Sequence, residues 1–228
     1  MHRTRTARAT LTVLSLMLVS SASLSWASTD CLASTGSENH LALAVSSRPE
    51  IAVFAGGCFW SMENAFEGFP GVITVVSGYS GGHVANPSYE EVCEHTTGHL
   101  EAVEVTFDPA RVSYAQLVDR FWHSIDPTQA DGQFCDRGEP YESAIFVKNA
   151  GQQKVATASK AALAQSGVLK APIMTVIRPF KVFYAAEEYH QDFTKKNPAR
   201  YAAYRLGCGR DLRSAQIWGK AAARPMSH

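Results

Sequence analysis

Apolar residues recur along this chain in two rhythms, one suited to buried strands and one to helices. Glu50-Ile51-Ala52-Val53-Phe54-Ala55 is a short apolar run that predicts a buried strand. Phe59, Met62, Phe66 and Phe69 then return at helical spacing, until Gly68 and Pro70-Gly71 stop the pattern. Residues 72–77 are rich in β-branched side chains and predict a central strand, followed by a glycine-rich loop over 78–82. Residues 100–107 predict the next strand. Ser113 and Gln116 have capping-box spacing ahead of Tyr114, Leu117, Val118, Phe121, Trp122 and Ile125, an amphipathic helix closed by Asp126-Pro127. A long polar loop covers 128–140, a length that often accompanies function. Residues 143–147 read as a strand, 151–165 as an alanine-rich helix ended by Gly167, and 174–177 as a strand with Pro179 beyond it. A last helix is predicted over 187–196, before Asn197-Pro198. From Ala199 onward the chain is basic and weakly patterned, and Gly207-Cys208-Gly209 predicts a mobile arm. Strands alternating with helices, some able to pair antiparallel, predict one α/β domain: a sheet with helices packed on it.

Composition narrows the function classes. The chain has 228 residues and a formal net charge of zero. No basic cluster interleaves with aromatics beyond residue 10, so nothing points to nucleic acid. The N-terminus differs from the rest. Arg3, Arg5 and Arg8 precede an apolar stretch over 11–19, and Ser25-Trp26-Ala27 supplies a small-x-small site. Residues 1–27 therefore predict a signal peptide cleaved after Ala27, an exported protein, and no stable membrane span once it is removed. Ser28-Thr29-Asp30 before Cys31 is too polar for a lipid-attachment box. Residues 28–49 read as a flexible lead-in, 50–198 as the folded domain and 199–228 as a tail. The five cysteines, Cys31, Cys58, Cys93, Cys135 and Cys208, all follow the cleavage site. An odd number in an oxidising compartment leaves a thiol unpaired or pairs that exchange, which favours redox chemistry over a static scaffold.

Candidate chemistry starts at Gly56-Gly57-Cys58-Phe59-Trp60. The paired glycines allow a sharp strand-to-helix turn and place Cys58 at a helix N-terminus, where unpaired N–H groups favour an anion. That position predicts a lowered thiol pKa and a nucleophile. The plainer reading is a small buried residue at a tight turn. Glu101 shares a strand face with Val103, Val105 and Phe107, so its carboxyl is expected to be desolvated and its pKa raised. The alternative there is a strand end open to water. Cys93, His95 and His99, with His83 upstream, offer a zinc-binding alternative. A peroxidase or general thiol oxidoreductase is a further alternative, although there is no Cys-x-x-Cys and two large aromatics beside the thiol suit a thioether better than a peroxide.

Over residues 51–198 the chain resembles the A-type peptide methionine sulfoxide reductases. The resemblance is carried by Gly57-Cys58-Phe59-Trp60-x-x-Glu63, Gly78-Tyr79-x-Gly81-Gly82, Asn86-Pro87-x-Tyr89-x-x-Val92-Cys93 and Thr97-Gly98-His99-x-Glu101. Asp108-Pro109, Asp126-Pro127, Asp136-x-Gly138, Tyr141 and His190-Gln191 continue it in order. It implies an α+β two-layer sandwich with a mixed, ferredoxin-like sheet. It implies reduction of methionine sulfoxide, free or in proteins, with selectivity for the S epimer. Cys58 would be the nucleophile, Glu101 the acid, and Tyr89 and Tyr141 hydroxyl donors to the sulfoxide oxygen. Phe59 and Trp60 would grip the S-methyl group and Asp136 would border the site. Cys208 is the expected resolving thiol, with Cys135 competing, and Cys93 reads as structural. Glu142 stands where the family commonly carries arginine. No bound cofactor or metal is implied; a thioredoxin-like dithiol would be the reductant, reaching a monomeric enzyme in the periplasm or outside the cell.

Overall fold

The computed structural model describes residues 48–219. The expected leader, Cys31, nearly all of the lead-in and the final residues of the tail lie outside the described residues. Among the described residues no helix is long and apolar enough to cross a membrane.

Strand β1 (Glu50–Gly56) leads into helix α1 (Phe59–Phe66), then β2 (Val72–Ser80), the short helix α2 (Tyr89–Cys93) and β3 (Leu100–Phe107). Helix α3 (Tyr114–Trp122) follows, then a small hairpin of β4 (Gly132–Gln133) and β5 (Asp136–Arg137), and β6 (Ser143–Val147). Helix α4 (Ala150–Gln165), strands β7 (Val176–Pro179) and β8 (Phe183–Ala185), and helices α5 (Phe193–Lys196), α6 (Pro198–Gly207) and α7 (Arg210–Trp218) complete the chain. The main sheet has the order β7-β6-β1-β3-β2-β8. Its four inner strands, joined as β-α-β-β-α-β through α1 and α3, have the ferredoxin-like arrangement. Among the described residues only the β6–β7 pairing is parallel, so the sheet is mixed as expected.

Alternation along the strands decides what each face carries. Ala52, Phe54, Val103, Val105 and Phe107 face the helices, where Phe54 stacks between Phe66 and Phe121 at 5.1 and 5.2 Å. Val53, Ala55, Leu100, Ala102, Ala144 and Phe146 form a thinner cluster on the other face. Each fully buried ring contributes about 1.5–3 kcal/mol through removal from water. Ser113 and Gln116 form the predicted capping box of α3, and Ser88 with Glu91 forms another on α2, which periodicity did not register in five residues.

Two expectations about the C-terminal part are corrected. The predicted helix over 187–196 is broken in two: a single 3-10 turn at Glu188–His190, then α5. Gln191 is the cause. Its amide accepts from the Ser77 N–H and donates to the Ser77 carbonyl, both at 2.9 Å, which fixes residue 191 extended against β2. Asp192 then takes a left-handed conformation (φ 52°). The weakly patterned tail is also not a mobile arm, since α6 and α7 both pack on the domain. Their anchors are sparse: Tyr201, the buried Arg210 and Trp218, whose indole N–H donates to the Ile125 carbonyl at 3.2 Å. Gly209 (φ 65°) makes the corner between the two helices, a conformation glycine adopts without strain.

Glu63 stitches these parts together. Buried on α1, it accepts from the Ser77 hydroxyl at 2.8 Å and from the Asp192 N–H at 2.7 Å. Burial pushes its carboxyl up to about 6; the two hydrogen bonds oppose that, and the neighbouring charges of Glu67 and Asp192 add to it. The folded chain therefore holds a proton between the ordinary value of 4.5 and about 6 that the unfolded chain has released. Stability from this group must fall as pH rises through that window. Glu63→Gln is expected to flatten that slope in urea titrations across the window. It should also cost about 1–3 kcal/mol at neutral pH, because the amide nitrogen cannot accept and strands one donor. An unchanged slope would contradict this assignment.

Candidate active site

The turn after β1 fixes the first reactive group. Gly57 has φ +79°, and a Cβ there would lie 2.5 Å from the Gln133 Cβ, so both conformation and space demand glycine. Cys58 follows as the N-cap of α1, only 6% exposed, and its side chain caps nothing. The positive end of α1 is taken by two carboxyls instead. Glu101, 2% exposed on the helix-facing side of β3, accepts the Phe59 N–H through Oε2 at 2.8 Å. Asp136, on β5, accepts the N–H of Cys58 itself.

This arrangement reverses one expectation. A helix N-terminus was expected to lower the thiol pKa, yet burial pushes the Cys58 thiol up, and the charges of Glu101 and Asp136 push it further. The nearby Tyr204 hydroxyl and the charge of Arg210 oppose this without overcoming it. The dipole acts on whatever acceptor sits at the helix end, and here the acceptors are the Glu101 and Asp136 carboxyls. Cys58 therefore rests as a thiol. The carboxyl of Glu101 behaves as the strand pattern predicts: burial raises it to about 8, against the Phe59 hydrogen bond and with help from Asp136. At neutral pH it is mostly protonated, a carboxylic acid beside the Cys58 thiol.

The walls come from separate parts of the chain. Tyr89, at the start of α2, and Tyr141, after the β4–β5 hairpin, both feel the Glu101 charge; burial first, then that charge, pushes their phenols up. Cys93, one turn after Tyr89, is in hydrogen-bond contact with both hydroxyls, and so touches the site it was expected only to support. Phe59 packs on His190 with ring centroids 4.9 Å apart, and Trp60 stacks on Phe193 at 3.6 Å. The Trp60 indole N–H donates to His190 Nδ1 at 3.1 Å, which assigns the His190 ring proton to Nε2. Tyr79 and the Tyr89 N–H both donate to Glu187 at 2.9 Å, fixing this wall to β2 and α2.

Cys135 and Cys208, read as competitors, are joined to each other by a disulfide with Cα atoms 4.9 Å apart. Cys208 ends α6 and is partly buried, whereas Cys135 on the β4–β5 hairpin is exposed. Asp136 lies between this bond and Cys58. Its Oδ2 accepts the Tyr204 hydroxyl at 2.5 Å and is 4.0 Å from the Cys208 sulfur. Tyr204 and Arg210 were missed because both belong to the tail. Arg210 is buried, donates to the Ser124 carbonyl at 3.0 Å and places its guanidinium over the Phe134 ring at 4.1 Å. Of the proposed zinc ligands, His99 is engaged otherwise: the Gly82 N–H donates to its Nδ1 at 3.1 Å, and its Nε2 lies 2.8 Å from the Val84 carbonyl. Glu142, in place of the expected arginine, faces Arg178 of β7 at 3.9 Å on the surface.

The comparisons agree with this geometry. The sequence model of the family described as peptide methionine sulfoxide reductase matches residues 50–222. The peptide methionine sulfoxide reductase MsrA of Bacillus licheniformis is 52% identical over 176 residues, covering 77% of this chain and 97% of that protein. The MsrA of Ligilactobacillus salivarius is 56% identical over 169 residues, covering 74% and 98%. Among solved structures, methionine sulfoxide reductase A of Corynebacterium diphtheriae superposes with a TM-score of 0.59 at 33% identity, covering 66% of this chain and 76% of that one. A buried cysteine beside a carboxyl of raised pKa, on a chain matched over residues 50–222, leaves one assignment: this chain belongs to the peptide methionine sulfoxide reductase family, in its A type.

Proposed function

We propose that the enzyme reduces methionine S-sulfoxide through Cys58 and recycles through Cys208 and then Cys135. The substrate methyl lies against Phe59 and Trp60, and its oxygen faces Glu101 with the Tyr89 and Tyr141 hydroxyls, a set of donors aimed where charge develops. Fixing the methyl, the oxygen and the line of attack leaves one configuration at sulfur with its side chain pointing outward. In the A type that epimer is S. The Cys58 sulfur attacks, Glu101 gives its proton to the oxygen, and the thiol proton restores Glu101. Oxygen passes from substrate to cysteine: thiol and sulfoxide become sulfenic acid and thioether, with cysteine oxidised by two electrons and substrate reduced by two.

The half-buried Cys208 then attacks the sulfenic sulfur, forming Cys58–Cys208 and releasing water. Exposed Cys135 next attacks the Cys208 sulfur, which frees the Cys58 thiol and leaves Cys135–Cys208. A thioredoxin-like dithiol reduces that bond and is itself oxidised. No cofactor enters the cycle, and every group it uses comes from one chain, so a monomer suffices. Export is part of the same reading. It rests on the basic, apolar and small-residue series over residues 1–27. The role would be repair of oxidised proteins outside the cytoplasm, with a donor supplied across the membrane.

The observation that carries this reading is the Glu101 carboxyl bonded at the first turn of α1, directly after Cys58. Peptide mapping after a single turnover tests the order of exchange. Cys135→Ser is expected to release one equivalent of methionine and to accumulate Cys58–Cys208, while Cys208→Ser stops at the sulfenic acid. A Cys58–Cys135 bond formed at the wild-type rate in Cys208→Ser would overturn the order.

A further inference from the structure

The disulfide and the nucleophile are mechanically linked through α6. Tyr201 and Tyr204 lie on it, and the Cys208 N–H donates to the Tyr204 carbonyl at 2.8 Å, one turn on. Three attachments hold that helix over the start of α1. The Tyr201 hydroxyl is 3.3 Å from Ser61 Oγ, the Tyr204 hydroxyl donates to Asp136, and Cys208 is bonded to Cys135. So held, Tyr204 reaches the Cys58 sulfur. Its ring also meets Trp60 almost at right angles, 6.2 Å away, on an indole already stacked against Phe193. The space that a substrate methyl needs between Trp60 and the thiol is the space this ring borders, and Cys58 is left 6% exposed.

We propose that Tyr204 is a redox-linked plug: while Cys135–Cys208 is oxidised its ring closes the pocket over Cys58, and reduction of that disulfide releases it. The inference rests on Cys58 being the nucleophile. Its logic is that of an enzyme with one resolving pair. Were Cys58 to take oxygen from a second substrate while that pair is oxidised, its sulfenic acid would find neither thiol of the pair to condense with, and oxidation beyond it would be irreversible. Closing the pocket until a dithiol donor has reduced Cys135–Cys208 keeps the order of events fixed. Tyr204 is a positioning residue here, and it takes no part in the transfer of oxygen.

Alkylation reads the plug without any turnover. The full chain is treated with iodoacetamide, either with the Cys135–Cys208 bond intact or after phosphine reduction and removal of the phosphine, and Cys58 modification is followed by peptide mass. Wild-type Cys58 is expected to react roughly tenfold or more slowly in the disulfide state, as where an open form is populated at about 10% or less. Tyr204→Ala should lose most of that difference with the disulfide still formed. Tyr204→Phe, which keeps the ring and the fold, should retain most of it. Equal wild-type rates in the two states, or a difference that survives in Tyr204→Ala, would overturn the proposal. Methionine release that survives in Cys58→Ser would instead overturn the nucleophile assignment, and this proposal with it.

Discussion

Replacing Cys58 by serine is expected to reduce dithiothreitol-driven turnover of methionine S-sulfoxide to the uncatalysed background, a loss of roughly a millionfold or more if the enzyme is ordinary. The hydroxyl oxygen cannot take the sulfoxide oxygen as sulfur does, so no sulfenic acid forms and nothing is passed to Cys208. The fold should not suffer. Cys58 caps α1 without a side-chain hydrogen bond, and serine is among the better N-cap residues. Urea midpoints should therefore be equal or slightly higher in the variant, which separates lost chemistry from lost structure. Methionine release above background would mean that another thiol carries the reaction.

Glu101→Gln should act on rate and stability in opposite directions. Removing the proton donor is expected to slow the chemical step by roughly 10²–10⁴. In wild type the rate should fall as pH rises through about 8, where Glu101 gives up its proton, and this limb should vanish in the variant. Stability follows from the same displacement. The folded-state carboxyl titrates near 8 against an ordinary value of 4.5, so between these values the folded chain binds a proton that the unfolded chain has lost. Stability therefore declines as pH rises across that window, by an amount on the order of a few kcal/mol. An amide does not titrate, so the variant's profile should lose the slope that Glu101 contributes there and gain on wild type toward alkaline pH. Parallel stability profiles, or an alkaline limb surviving in Glu101→Gln, would remove Glu101 from the acid role.

The strand-turn-helix around Cys58 was legible in the sequence because all of its causes are local. An apolar run, two glycines and a 3.6-residue rhythm lie within a few residues of one another. The Glu101 side of β3 was legible for a similar reason, since alternation needs only neighbours. The ionisation of Cys58 was not. The helix-end rule is local, but it was overridden by carboxyls that the fold brings from 42 residues away at Glu101 and from the β4–β5 hairpin at Asp136.

The tail shows the same division. Its helices lack a continuous apolar stripe and are held by a disulfide spanning 73 residues, by a buried arginine and by a phenol bonded to Asp136. None of these anchors has a sequence period, and Gln191 broke the predicted last helix by pairing with Ser77, 114 residues away. The sequence by itself determined which groups could do the chemistry, where the first turn bends and which face of β3 carries the acid, since adjacent residues decide those. Only the tertiary structure decided that the thiol rests protonated, that Cys135 and Cys208 pair with each other and that Tyr204 stands over the site, because burial and contact between distant segments exist only once the chain has folded.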